Sequence, residues 1–346
     1  MTRGELGAAV ALALAASVLG SGCAMLRSHL GPLAGEPAMR FDEAGFARKP
    51  RATYRIATPP PGETAPEAVI GTTRRYRIRP GDTLLDVARW YDLGYNEIVE
   101  ANPGVDPMLP AVGTEVVVPT EWVLPCCSYQ GIVLNIPEMR LFYYRPDPHD
   151  PGTTIVETFP VGLGRLDRRT PRGRYRVASK AVNPTWVIPD SIREEHLRER
   201  GDGRRVIAGG APDNPLGKYR MKLSHVLYSI HGTDVPWGVG MQVTHGCVRL
   251  YPEDIEHLFP LVPLGTGVEF TYQPVKIGQR GADVFAEAHR DIYSYSRSLV
   301  AAGRAALARQ RLDGRVDPAL LDGVVQNALG VPTRVSADGV ARRRAG

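Results

Sequence analysis

The sequence predicts an α+β protein, mainly β, in three parts: a small β-α-α-β unit, a larger β-sandwich-like unit and a helical C-terminal extension. Three observations carry that reading. Between Arg74 and Pro119, two short alternating runs flank two short helical patterns. From Gly131 to Tyr272, brief β-like runs recur with Gly and Pro between them, the pattern of a sandwich or barrel. Beyond about Asp283 the apolar spacing turns helical through Arg311.

At 346 residues the chain has room for about two domains plus extensions. A hydrophobic content of 43% with 23% charged residues excludes wholesale disorder. The net charge of +5 is matched by the stretch from Arg297 onward, with nine Arg against four Asp. The balanced remainder argues against a nucleic-acid partner, which would select a basic face on the folded core.

The apolar run Leu6–Leu19 follows Arg3 and precedes Gly20-Ser21-Gly22-Cys23. It is too short to span a bilayer comfortably, so 1–23 reads as a signal peptide, of lipoprotein type if Cys23 is acylated. That predicts export to the periplasm with a membrane tether through Cys23. Residues 24–73, rich in Pro and Gly, read as a flexible linker. Besides Cys23 the chain has Cys126, Cys127 and Cys247, too few for a disulfide framework at this length. Cys126 and Cys127 can pair with each other or with partners. A lone Cys247 in an oxidising compartment then needs a reason.

In 74–121, Tyr76-Arg77-Ile78 alternates as a strand and Pro80-Gly81 turns the chain. Asp82 can cap a helix carrying Leu84, Val87, Ala88 and Tyr91 at i, i+3, i+4 and i+7. A second helix near Asn96–Ala101 stops at Asn102-Pro103-Gly104, and Glu115–Val118 is the second strand. These residues resemble a LysM domain, a family that binds N-acetylglucosamine-containing glycans. The resemblance implies glycan contacts at Gly81, Asp82, Thr83, Leu84, Asn102 and Pro103, each of which also suits a cap or turn.

In 128–273, Gly131–Ile136 and Arg140–Tyr144 read as a hairpin, followed by β-like runs at Thr154–Phe159, Gly173–Ala178, Val226–His231 and Val268–Tyr272. Helical signals fall at Ser191–Glu199 and Pro252–Phe259. Residues 274–346 form the extension, helical and then a disordered basic tail ending at Arg342-Arg343-Arg344.

The chemistry concentrates in His231-Gly232-Thr233 and Thr244-His245-Gly246-Cys247-Val248-Arg249. A thiol attacks carbonyls as the thiolate, and a neighbouring His can take its proton and later return it to a leaving amine. Gly246 lets backbone approach a substrate, and the N–H groups of Gly246 and Cys247 can stabilise an oxyanion. Spacing alone leaves three readings of Cys247 open: a nucleophile, a buried apolar residue, or a zinc ligand with His225, His231 and His245.

The same stretch resembles the L,D-transpeptidase signature, His-Gly followed by Ser/Thr-His-Gly-Cys. Val161-Gly162-Leu163-Gly164, Thr170-Pro171-Arg172-Gly173, Asn183-Pro184-Thr185-Trp186 and Asp213-Asn214-Pro215-Leu216-Gly217 extend the likeness to the Gram-negative branch that carries a LysM module. The resemblance implies Cys247 as nucleophile and His231 as base, oriented by the Gly232 carbonyl. It places the oxyanion hole at Gly246 and Cys247, and substrate contacts at Thr244, His245, Arg249 and Trp186. It implies no cofactor and no metal. The implied reaction releases D-Ala from a tetrapeptide stem and passes the acyl group to an amine of another stem or to a Lys of an envelope lipoprotein. Peptidoglycan strands and stem peptides are thus the expected partners. The rivals are an L,D-carboxypeptidase or a hydrolase using the same residues, a zinc peptidase, and a non-catalytic wall-binding lipoprotein. Read as a tethered module, the LysM unit raises the local concentration of stems, and its deletion is expected to spare turnover of soluble muropeptides.

Overall fold

The structure, a computed structural model, describes residues 41–126 and 128–337. The signal peptide, Cys23, Cys127 and the basic end Arg342–Arg344 lie outside the described residues. No helix among the described residues is long and apolar enough to cross a membrane.

Nine strands make the main sheet, in the order Tyr54–Ala57, Asp150–Pro160, Arg140–Asp147, Gly131–Asn135, Gly267–Thr271, Gly173–Val182, Tyr219–Leu223, Ser229–His231 and Val248–Arg249. Two neighbouring pairs are parallel, Gly131–Asn135 with Gly267–Thr271 and Ser229–His231 with Val248–Arg249. Residues from both ends of this order, Phe159 at one and Ile230 and Val248 at the other, share one buried cluster with Leu258 of the helix Pro252–Leu261. The sheet therefore bends on itself in the manner of a sandwich.

The near-continuous apolar runs of the central hairpin have a direct cause. Ile132, Leu134, Leu141 and Tyr143 face the core shared with Phe159, Ile230 and Leu258, whereas the alternate residues Val133, Phe142 and Tyr144 face a second core. That second core belongs to the LysM unit, with Leu84, Val87, Ala88, Ile98 and Trp122. Side chains alternate along a strand, so a sheet covered on both sides reads as apolar throughout.

The LysM unit has the expected order: the strand Arg74–Arg77, helices Leu84–Trp90 and Tyr95–Glu100, and the strand Glu115–Val118 paired back to the first. Thr83 caps the first helix in a capping box with Asp86. Its seam against the sheet carries charge as well as apolar area. Arg140, fully buried, holds Glu97 through two bonds of 2.8 Å, stacks over Trp122 at 4.3 Å, and donates to the Asp92 carbonyl.

The linker expectation fails over its described part. The strand Tyr54–Ala57 pairs with Thr153–Val156 at the sheet edge, and the strand Val69–Gly71 pairs with Glu121–Val123. Lys49 is buried with its ammonium 2.6 Å from Asp92 and 3.1 Å from both Glu253 and Asp254. Burial opposes that charge, but the three carboxylates hold its pKa above the usual lysine value. The partners of this segment lie far away in sequence, so its Pro-rich local composition conceals the pairing.

The C-terminal extension is helical only in part. Helices Leu299–Gln310 and Pro318–Asn327 pack on a sheet of Val275–Arg280, Asp283–Ala288 and Thr333–Arg334 around a third core. Val284, Ala286 and Ala288 are buried at every second position, a strand period where a helical run was expected. Where this unit meets the others, Glu138, Glu287 and His289 come together. The Lys276 ammonium already fills that cluster, 2.8 Å from Glu138 and 3.0 Å from Glu287.

Candidate active site

His231 ends the strand Ser229–His231 and lies opposite Arg249 in parallel register, with Ile230 opposite Val248. Ile230 and Val248 point into the core. Their flanking residues, Ser229 and His231 on one strand and Cys247 and Arg249 on the other, therefore share the outer face. The His231 Nδ1 lies 2.7 Å from the Gly232 carbonyl. A carbonyl only accepts, so Nδ1 carries the proton and Nε2 presents its lone pair. Burial, with the Arg249 charge nearby, lowers the His231 pKa to about 3. The imidazole is therefore neutral at neutral pH, with the Nε2 lone pair unprotonated.

Cys247 is half-buried and its thiol is free, whereas Cys126 is disulfide-bonded. Burial pushes the Cys247 thiol up, partly offset by the Ser229 backbone N–H aimed at the sulfur and by the Arg249 charge. At rest the thiol donates to the Leu227 carbonyl at 3.6 Å. The resting site thus holds a neutral thiol and a neutral imidazole.

The loop bearing the thiol is tied from within. Gly246 sits at φ +106°, a region that favours glycine. Its N–H donates to Thr244 Oγ1 at 3.1 Å, and that hydroxyl donates to the Cys247 carbonyl at 2.7 Å. In this arrangement the Gly246 N–H is spent on Thr244, and Thr244, 2% exposed, ties the loop from below.

Beside this loop opens a cleft of about 440 Å³ lined by Trp186, His245, Arg249 and Asp234, with Glu195 of the helix Asp190–Arg200 across it. Glu195 bonds Arg165 at 2.8 Å and His245 Nε2 at 2.9 Å, and these two hydrogen bonds hold its pKa at about 2. Arg249 keeps a buried Nε without a hydrogen-bond partner, and burial lowers its pKa, with Asp234 opposing. A desolvated guanidinium of this kind suits a substrate carboxylate. The residues offered as a zinc set are committed separately: His245 to Glu195, His231 Nδ1 to Gly232, and His225 stacked on Tyr228 at 4.5 Å.

Residues 129–277 match the model of the L,D-transpeptidase catalytic domain (YkuD), and 76–119 match that of the LysM domain. The probable L,D-transpeptidase YbiS of Escherichia coli K12 is 35% identical over 278 residues, spanning 78% of this chain and 89% of that protein. The chain belongs to the L,D-transpeptidase family. The probable L,D-transpeptidase ErfK/SrfK of Salmonella typhimurium is 36% identical over 255 residues, covering 71% of this chain and 80% of its own length. Among solved structures, L,D-transpeptidase 3 of Mycobacterium tuberculosis aligns with a TM-score of 0.30 at 18% identity, over 45% of this chain and 67% of that one. The catalytic domain of the E. faecium L,D-transpeptidase aligns at 0.31 and 20% identity, over 42% of this chain and all of that one.

In this L,D-transpeptidase the glycan-contact residues separate. Leu84 is fully buried in the LysM core. The Asn102 amide is spent on Ile98 and Val117 backbone groups at 2.7–2.8 Å. Asp82 accepts from the Tyr76 hydroxyl and the Arg79 N–H, tying the turn, and the Thr83 hydroxyl is spent on Asp86. Gly81 and Pro103 are exposed. So are Met108, Leu109 and Val112 of the following loop, which the sequence reading did not single out. The Pro107 carbonyl accepts from Leu84 N–H and brings that loop against the first helix. Asp234 and Glu195 were likewise missed, since isolated acidic residues carry no spacing signal.

Proposed function

We propose that this L,D-transpeptidase acts on peptidoglycan stems through Cys247 and His231. The Cys247 sulfur attacks the carbonyl joining the stem's diamino acid to its terminal D-Ala, as its proton passes to His231 Nε2. The Cys247 N–H donates to the oxyanion that forms. Collapse breaks the C–N bond, the imidazolium protonates the leaving amine, and D-Ala departs to leave a thioester. An acceptor amine then attacks the thioester, His231 takes the excess proton, and the thiol returns with one amide broken and one formed. Arg249 would hold a stem carboxylate in the cleft under Glu195. The observation that supports this reading best is the Gly232 carbonyl on Nδ1, which leaves the Nε2 lone pair open on the face shared with Cys247.

The acceptor is a neighbouring stem, giving a 3–3 cross-link, or a Lys of an envelope lipoprotein. Water as acceptor makes the same site an L,D-carboxypeptidase or a hydrolase. The setting is the periplasm, with a tether through an acylated Cys23 and the LysM surface on glycan. Mass spectrometry of the protein mixed with a tetrapeptide muropeptide tests the proposal. The expected result is a thioester adduct on Cys247, loss of D-Ala, and no turnover by Cys247→Ala. Release of D-Ala by that variant, or activity abolished by a chelator, would overturn it.

A further inference from the structure

We infer that Tyr293, in the C-terminal unit, is a positioning residue for the nucleophile loop; the inference rests on Cys247 being the nucleophile. Tyr293 lies beyond residue 277, where the match to the catalytic-domain model ends. Its side chain is fully buried. The hydroxyl donates to the Gly164 carbonyl at 2.6 Å and accepts from the Thr170 N–H at 3.1 Å. The Thr170 hydroxyl, also fully buried, accepts from the Gly164 N–H at 3.0 Å and donates to the Gly246 carbonyl at 3.1 Å. One phenol thus holds two segments, and through Thr170 it reaches the peptide bond that precedes the thiol.

That contact matters because a peptide unit is planar. The Gly246 carbonyl and the Cys247 N–H lie in one plane and point in opposite directions, so fixing the carbonyl aims the N–H. With Gly246 N–H spent on Thr244, Cys247 N–H is the donor this loop has left for an oxyanion. Gly246 at φ +106° has wide backbone freedom, and the plane needs an external hold.

Tyr293 is itself anchored from both sides, by Tyr272 and Arg169 of the catalytic domain and by Asp291 of the extension. Its N–H donates to the Tyr272 hydroxyl at 3.0 Å, that hydroxyl bonds Asp291, and the Arg169 guanidinium stacks over the Tyr293 ring at 5.5 Å. The Asp291 carboxylate also accepts from the Tyr295 and Ser296 backbone at 3.0 and 2.6 Å. The extension therefore completes the active-site loop from outside the catalytic domain.

The test uses the full chain with Tyr293→Phe, Thr170→Val and Thr170→Ser, reading acylation of Cys247 by a carbapenem through intact-protein mass. Phe keeps the ring and drops both hydroxyl bonds, Val removes the hydroxyl of the second link, and Ser retains it. Tyr293→Phe and Thr170→Val are expected to lower the maximal acylation rate by about 10–100-fold, the scale of a small misplacement, with the half-saturating concentration changed less than about twofold. Thr170→Ser is expected to stay near wild type, and the double variant Tyr293→Phe/Thr170→Val to be no slower than the worse single. Folded variants that acylate at the wild-type rate would overturn the inference and leave the nucleophile assignment intact. If Tyr293→Phe fails to fold, Thr170→Val against Thr170→Ser decides, and equal rates overturn it. A wild-type protein that forms no Cys247 adduct overturns the nucleophile assignment and this inference with it.

Discussion

Gly94 and Gly240 meet backbone against backbone: a Cβ on Gly94 would lie 2.9 Å from the Gly240 Cα, and one on Gly240 only 2.2 Å from the Tyr95 nitrogen. The Tyr95 N–H donates to the Val239 carbonyl at 3.1 Å. Two residues on, the strand Gln242–Thr244 begins and leads to Cys247. The LysM helix start is thus built into the approach to the nucleophile.

Gly240 also sits at φ +81°, where any Cβ is strained. Gly240→Ala is expected to cost at least about 1–3 kcal/mol from strain alone and to slow acylation of Cys247. Thermal melting and adduct formation check the two halves. A variant melting and reacting like wild type would separate the domains again.

The Arg140–Glu97 pair makes a sharper demand. Arg140→Met strands a buried carboxylate, and breaking such a pair costs about 3–5 kcal/mol. The double change Arg140→Met/Glu97→Gln is expected to recover part of that loss in urea unfolding. For the same reason, deleting residues 74–119 bares Val133, Phe142 and Tyr144, which pack against this unit. Turnover of soluble muropeptides is therefore expected to fall together with sacculus binding. This reverses the expectation drawn from a tethered module.

Two buried histidines should give opposite pH slopes. His231 has its pKa lowered from 6.5 to about 3 by burial. Below pH 6.5 the unfolded chain takes a proton that the folded chain refuses, so stability falls with acid down to about pH 3. At His289 burial is outweighed by the carboxylates of Glu100, 3.7 Å from Nδ1, and Glu287, hydrogen-bonded to Nε2 at 2.7 Å, raising its pKa to about 10. Its stabilisation is complete below pH 6.5 and is lost as pH rises toward 10. Each slope reaches up to about 1.4 kcal/mol per pH unit. Urea unfolding across pH should flatten on the acid side in His231→Gln and on the alkaline side in His289→Gln.

On the LysM surface, core and contact roles can be separated. Leu84→Ala is expected to cost about 2–5 kcal/mol as a core truncation, seen as a lower melting temperature. Met108→Ser and Leu109→Ser remove exposed side chains. They should leave melting unchanged and weaken binding to purified sacculi in a pull-down.

Local pattern made much of this protein legible. The first LysM helix followed from Leu84, Val87 and Ala88, and the loop carrying Cys247 stood out through its resemblance to the L,D-transpeptidase signature, since spacing alone left the role of the thiol open. Residues acting across long sequence distances were hidden. Tyr54–Ala57 pairs with a strand about a hundred residues on, and Tyr293 reaches Thr170 through a hydroxyl no motif announces. Leu84 and Asn102 mark the LysM pattern and also build its interior, and motif resemblance alone does not distinguish that role from ligand contact.

The hairpin Gly131–Asp147 serves two interiors at once, alternate residues of each strand for one and the residues between them for the other. Such a shared wall limits how this lineage can recombine. A foreign sugar-binding cassette spliced in at this point would meet a surface cut for its predecessor, and every second residue of two strands would have to change in step. Divergence here should proceed by paired drift across the seam, with wholesale exchange of parts confined to chains whose modules hang on true tethers.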